Sequence, residues 1–225
     1  EYIQTYPYCD PISGGLLYID DARLYGHSII VNKEGKRFVS ELDTRDVMSN
    51  AILAQTGSVC YELIDDAAWK QDSIEENHGG EVAYMFAMKE LVKADTLKEA
   101  ADFFGIDAAA LAETVAQYNQ YVEAGKDDDF GKKADFMLPI ATPPFYGSVA
   151  DSSTQAGTAV SLGGLVTDAT FNVLGDDDCG IEGLYAIGNC CGGRYALTYP
   201  GILAGNSIGM AMTNGYVCGQ VVAAL

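Results

Sequence analysis

The stretch Gly183-Leu184-Tyr185-Ala186-Ile187-Gly188-Asn189, followed by Thr198-Tyr199-Pro200-Gly201 and then Gly205-Asn206-Ser207-Ile208-Gly209, decides how the chain folds. A short apolar run bounded by glycines reads as a buried strand, and its Gly-Asn end leaves a polar side chain free to meet a ligand hydroxyl. The Gly205-Asn206 step opens a helix expected over residues 206–224, whose first N–H groups have no partner within the helix and suit an electron-rich carbonyl. Ala211, Gly215 and Gly219 recur every four residues along it, making one smooth face for a neighbouring backbone or a ligand; tight helix-on-sheet packing accounts for that face equally well.

Upstream, Gly163-Gly164-Leu165-Val166-Thr167-Asp168 reads as a second short strand, so the chain is α/β in style from Phe145 onward. Pro139, Pro143 and Pro144 place a boundary near residue 140. Before it, Thr96-Leu97-Lys98-Glu99 has capping-box spacing, and Leu111, Val115, Tyr118 and Val122 repeat at helical intervals until Gly125. Residues 44–55 suit a short amphipathic helix, residues 32–38 a turn with Gly35 at its bend, and residues 2–6, 16–19 and 28–31 short strands.

With 48% apolar residues among 225, the chain has ample material for a core. Thirty-two acidic against thirteen basic residues give a net charge of −19, which repels phosphate backbones and argues against a nucleic-acid partner. The acidic runs 127–129 and 176–178 read as solvated loops, and no metal site is expected. No stretch reaches the length of a membrane span. The six cysteines lack any CxxC pair and read as free thiols. His27 and His78 have no ligand-spaced companions and read as structural or surface residues.

Taken together, residues 140–225 resemble the C-terminal flavin-binding stretch of the fumarate reductase and ketosteroid dehydrogenase superfamily. Ketosteroid dehydrogenases carry a similar Gly-Leu-Tyr-Ala-x-Gly-Asn and Thr-Tyr-Pro-Gly, with a Pro-Pro-Phe-Tyr that recurs as residues 143–146. The N-terminal half is closer to the fumarate and urocanate reductase branch: Val31-Asn32-Lys33-Glu34-Gly35-Lys36-Arg37-Phe38-Val39-Ser40-Glu41 with Thr44-Arg45-Asp46 matches its V-N-x-x-G-K-R-F-V-x-E-x-x-x-R-D pattern, and Glu113 to Asn119 matches its cap.

The resemblance implies FAD as cofactor, with Gly163, Gly164, Gly188, Asn189, Gly205, Asn206, Ser207 and Ile208 on the isoalloxazine side. It makes Arg45 the proton donor, with Asp20 and Arg23 as its relay. Hydride delivery to one carbon of a polarised C=C needs a proton at the other, and an arginine with pKa above ~12 could act as acid only when buried beside other positive charge and promptly reprotonated. Without the motif, Arg45 and Asp46 would be ordinary helix-surface charges. Tyr199 takes the place of a tyrosine that hydrogen-bonds the substrate ketone, and Tyr6 that of a substrate-binding histidine; with fourteen tyrosines, packing is the competing explanation for either. The cationic clamp for a dicarboxylate is missing, since Val160 and Ile202 stand in its two places, and Arg194 is the residue nearby that could replace it. A larger, mostly neutral enone or aromatic acrylate is therefore expected as substrate.

No Gly-x-Gly-x-x-Gly occurs to hold an FAD pyrophosphate, so the chain reads as truncated, its partner being an N-terminal FAD-binding half. The expected architecture is the C-terminal part of an α/β flavin-binding domain, residues 1–32 and 141–225, with an inserted α+β capping subdomain, residues 33–140. The expected activity is reduction of an α,β-unsaturated small molecule. The alternatives are a ketosteroid-type dehydrogenase and a non-catalytic structural or partner-binding domain. The electron donor stays open, as does the choice between the bacterial cytoplasm and the extracytoplasmic side of the envelope.

Overall fold

The computed structural model describes residues 2–4, 27–151, 158–160, 163–195 and 205–225, with the backbone alone at 2–4, 45–46, 150–151 and 158–160. The chain forms two compact units, one of residues 5–43 and 47–158 and the other of residues 1–4, 44–46 and 159–225.

The larger unit is built on a four-stranded antiparallel sheet in the order β2-β3-β5-β4, from β2 (Ile29–Val31), β3 (Val59–Asp65), β4 (Leu91–Ala94) and β5 (Phe145–Asp151). Every residue of β3 is buried because both faces of the sheet are covered. Val59, Tyr61 and Leu63 face one way, with Ile29 and Val31, and join α4 (Leu97–Phe104) and α5 (Ala108–Ala124) in a core around Phe104, Leu111 and Tyr118. Alternation of side chains along the strand sends Cys60 and Ile64 the other way. Cys60 packs with Ile30, Val39, Met48 and Ile52, the last two from α1 (Arg45–Leu53). Ile64 packs with Trp69 of α2 (Asp66–Gln71) and with Ile74, Val82 and Met85 of α3 (Ile74–Met88).

Local signals explain the helix ends. Thr96 caps α4 by accepting from Glu99 N (3.2 Å), and Glu99 reaches back to Asp95 N (2.8 Å), one residue before the usual capping-box donor. Gly125 ends α5 at φ +65°, a left-handed conformation that costs glycine nothing. The proline-rich passage leads into β5, which, like β2, is a ladder partner of β3.

Against the expectation of a solvated loop, Asp127 is buried in an ion network. Arg37 donates to both oxygens of Glu41 (2.9 Å each) and of Asp127 (3.2 and 2.9 Å) while lying against the rings of Tyr118 and Phe130. The buried Lys132 ammonium lies 3.5 Å from Glu41 and donates to Ser28 O (2.6 Å), and Glu41 accepts from Ile30 N (3.1 Å). These two side chains thus satisfy backbone groups flanking Ile29 of β2. Burial pushes the Glu41 carboxyl up, but Lys132 and Arg37 bring it below its ordinary value; burial lowers Lys132, with Glu41 opposing. Glu62, which accepts a hydrogen bond from Ser28 Oγ, is pushed up by burial to about 8.

In the smaller unit β1 (Tyr2–Gln4) pairs with β6 (Thr158–Val160), and β7 (Asn172–Leu174) pairs antiparallel with β8 (Gly180–Tyr185). The strand expected over residues 163–168 is reduced to single bridges, Leu165 to Cys191 and Thr167 to Val173. The strand before Gly188-Asn189 is not buried: β8 is largely exposed and ends at Tyr185, because its ladder partner is β7 of a two-stranded sheet. α6 (Asn206–Ala223) ends one residue short of expectation. Among the described residues, no helix is long and apolar enough to cross a membrane.

Candidate functional site

Asn189 sits in a single 3₁₀ turn, residues 188–190, within the smaller unit. Gly188 has φ +58°, and a Cβ there would stand 3.3 Å from Ala211 Cβ of α6. Gly215, one turn further along α6, faces Ile187 at 3.5 Å. The small-residue face is therefore used for packing at Ala211 and Gly215, while Gly219 faces open space.

The turn is held from its other side by residues 163–165. Leu165 N donates to Cys190 O and Gly192 N to Leu165 O, both at 2.9 Å. A Cβ on Gly164 would lie 2.6 Å from Gly192 N and 2.7 Å from Cys190 O, so only glycine lets the two backbones approach this closely. Gly192 meets Gly164 O at 2.7 Å in the same sense. The sequence reading singled out the first glycine pair and missed the second, although Gly192-Gly193 was visible as its complement.

Inside this frame the Asn189 side-chain oxygen accepts from Arg194 Nη2 (2.6 Å) and from Ser207 Oγ (3.2 Å). With two donors on that oxygen, the amide NH₂ is the part of Asn189 left to serve a ligand acceptor. Ser207 lies in the first turn of α6, whose N-cap Gly205 (φ +74°) provides no side-chain cap and whose first turn holds no acidic residue. Amide, guanidinium and helix N–H groups form a donor set suited to an electron-rich oxygen. Asp168 serves the frame: its carboxylate accepts from the Thr170 hydroxyl and from Thr170 N and Asn172 N, which holds it below the ordinary carboxylate value.

The structure thus brings together Gly163, Gly164, Gly188, Asn189, Arg194, Gly205, Asn206, Ser207 and Ile208 in one unit, and Thr44–Asp46 at the start of α1 groups with them. Asp20, Arg23, Tyr6, Tyr199 and Ile202 lie outside the described residues. The Arg45 backbone is the first residue of α1, and the Val160 backbone belongs to β6. The cysteines Cys60, Cys179, Cys190, Cys191 and Cys218 are free thiols, as expected. His27 pairs with Asp72 (2.7 Å) and His78 with Glu81 (3.2 Å).

The model of the FAD binding domain family matches residues 3–208. The chain belongs to that family. FAD is accordingly its cofactor, and the donor set around Asn189 and the α6 N-terminus fits a flavin carbonyl. This FAD-binding chain is 36% identical over 225 residues to a urocanate reductase of Eggerthella lenta, which covers 100% of this chain and 35% of that protein. It is 37% identical over 224 residues to a fumarate reductase (cytochrome) of Shewanella frigidimarina, covering 99% of this chain and 36% of that protein. Among solved structures it is similar to a 3-ketosteroid Δ1-dehydrogenase from Sterolibacterium denitrificans (TM-score 0.70, 28% identity), with 91% of this chain and 40% of that chain covered. The FAD-binding chain spans about a third of the length of the curated relatives it matches.

Proposed function

We propose that this chain is the isoalloxazine and substrate side of a flavin-dependent reductase of an α,β-unsaturated small molecule, with Arg45 as proton donor. The observation that carries this reading is that Thr44–Asp46 groups with the 188–194 turn and α6 although more than a hundred residues separate them. In this reading Gly188, Asn189 and the first turn of α6 hold the flavin, which supplies hydride when reduced. Arg45 supplies the proton to the second carbon, and Asp20 with Arg23 returns one to it. Residues 33–140 are the α+β cap of this reading. The names of the urocanate and fumarate reductases support reduction as the direction.

A second reading, introduction of a C=C bond, is favoured by the likeness to the ketosteroid dehydrogenase. Anaerobic assay of the flavin-loaded protein, expressed from its complete coding sequence, separates the two. Reduced viologen with urocanate, cinnamates, fumarate and an enone steroid tests reduction, and a dye oxidant with the saturated partners tests the reverse. Arg45→Ala should retain flavin and lose at least ~10²-fold in turnover of whichever acceptor is reduced. Wild-type turnover in that variant would remove Arg45 from the reaction.

A further inference from the structure

The larger unit carries a cleft of about 540 Å³ where β4, β5, α2 and the start of α3 meet, a size that suits a small molecule. Strand pairing sets Lys93 of β4 opposite Tyr146 of β5, and Trp69 of α2 stacks on that tyrosine with ring centroids 4.1 Å apart and 9° between the planes. Both rings are buried and make a fixed wall. The Trp69 indole N–H is buried with no acceptor among the described residues, which leaves the wall one hydrogen bond short. The Tyr146 hydroxyl and the Lys70 ammonium are both spent on Asp66, at 3.4 and 2.6 Å. Three other charged groups of the cleft have no ion-pair partner among the described residues. One is Lys93, whose ammonium lies 5.4 Å from the centroid of the Tyr146 ring. The others are the exposed Glu75 and Glu76 in the first turn of α3. Between them and α2 stands Ser73, at φ +52°, whose hydroxyl makes no capping hydrogen bond.

We infer that this cleft binds a basic amino acid, with its carboxylate on Lys93 and the Ser73 hydroxyl and its two cationic groups on Glu75 and Glu76. Two carboxylates and one ammonium are complemented by a ligand of the opposite count, one anionic and two cationic groups, each held by a charge-assisted hydrogen bond. A dicarboxylate or a phosphate would set its charge against both glutamates, and a plain diamine would leave Lys93 facing only cations. The chain's net charge of −19 draws cations to its surface without selecting among them, so the ligand's carboxylate is the feature that distinguishes a site from general attraction. Every residue of the cleft belongs to the larger unit, and the inference stands independently of the proposed C=C chemistry.

The test is titration calorimetry on the flavin-loaded protein from its complete coding sequence, at about 0.15 M salt so that distant charges are screened. Three ligands are compared: L-lysine, L-norleucine, which lacks the side-chain cation, and cadaverine, which lacks the carboxylate. L-lysine should bind with one-to-one stoichiometry, and each of the others at least about 10-fold more weakly, the lower range for a lost hydrogen bond to a charged group. Glu75→Gln with Glu76→Gln should weaken L-lysine at least about 10-fold. Lys93→Gln should do the same to L-lysine while leaving cadaverine no weaker than in the wild type. The ligand series on the wild-type protein decides the matter without relying on any variant to fold. Absence of saturable L-lysine binding, cadaverine binding as tightly as L-lysine, or L-lysine binding unchanged in both folded variants would each overturn the inference.

Discussion

Arg37 and Asp127 stand ninety residues apart in sequence and are joined by two side-by-side hydrogen bonds, with the same guanidinium forked onto Glu41. Burial alone would lower the arginine's pKa, but the two carboxylates more than offset it and raise it above its ordinary value. Asp127 responds in the opposite sense: burial pushes it up, and the Arg37 hydrogen bond brings it below its ordinary value. The turn that leads into α1, the loop after α5 and the flank of β2 are therefore tied at one guanidinium.

Removing that guanidinium should leave buried carboxylates without their counter-charge. Arg37→Ala is expected to lower stability by about 3–5 kcal/mol, whereas Lys36→Ala, which breaks the exposed pair with Glu113, should cost less than ~1 kcal/mol. Urea unfolding of both variants provides the comparison. Equal, small effects would mean that the network contributes no more than a surface pair.

Glu62 should give stability a pH dependence of definite sign. Its folded pKa, about 8, lies above the ordinary 4.5, so between those values the folded state holds a proton that the unfolded state has released. Stability from this group is thus fully present below about 4.5 and declines as pH rises toward 8, on the order of 1 kcal/mol per pH unit. Lys132 opposes that rise. Glu62→Gln should match wild type near pH 4.5 and become progressively the more stable of the two up to pH 8. Parallel stability curves for the two proteins would show that the Glu62 carboxyl does not hold its proton in the fold.

Motif and cap signals in the sequence located α1, α4, α5, α6 and the Gly35 turn to within a few residues, because each depends on neighbours in the chain. β3 escaped notice for a physical reason: a strand covered on both faces by helices carries the apolar Cys60 and Ile64 where alternation would require polar residues. The Asp127 network escaped because an acidic run looks solvated until the arginine ninety residues upstream is folded against it. In the candidate site the glycines and Asn189 were legible from the motif. The tether of Arg194 to Asn189 was not, since it depends on a side-chain orientation that no spacing rule encodes.

The glycine pair that frames Asn189 yields the remaining prediction. A methyl group on Gly164 would sit 2.6 Å from Gly192 N and 2.7 Å from Cys190 O, both backbone atoms that cannot swing aside as a flexible side chain would. The Leu165–Cys191 bridge, with its two 2.9 Å hydrogen bonds, must then open, and the turn bearing Asn189 loses its support on that side. Gly164→Ala should therefore impair flavin retention, measured as the ratio of flavin to protein after gel filtration. Gly219→Ala meets nothing within 4 Å and should leave that ratio unchanged. Because Gly219 also lies inside a helix, where alanine is favoured by roughly 1 kcal/mol, its variant should be at least as stable as the wild type. Full flavin occupancy in Gly164→Ala would show that the 163–165 segment can separate from the 190–192 turn without disturbing the cofactor site. The close backbone approach would then be a packing feature alone, and the flavin-side assignment of Gly163 and Gly164 would have to be withdrawn.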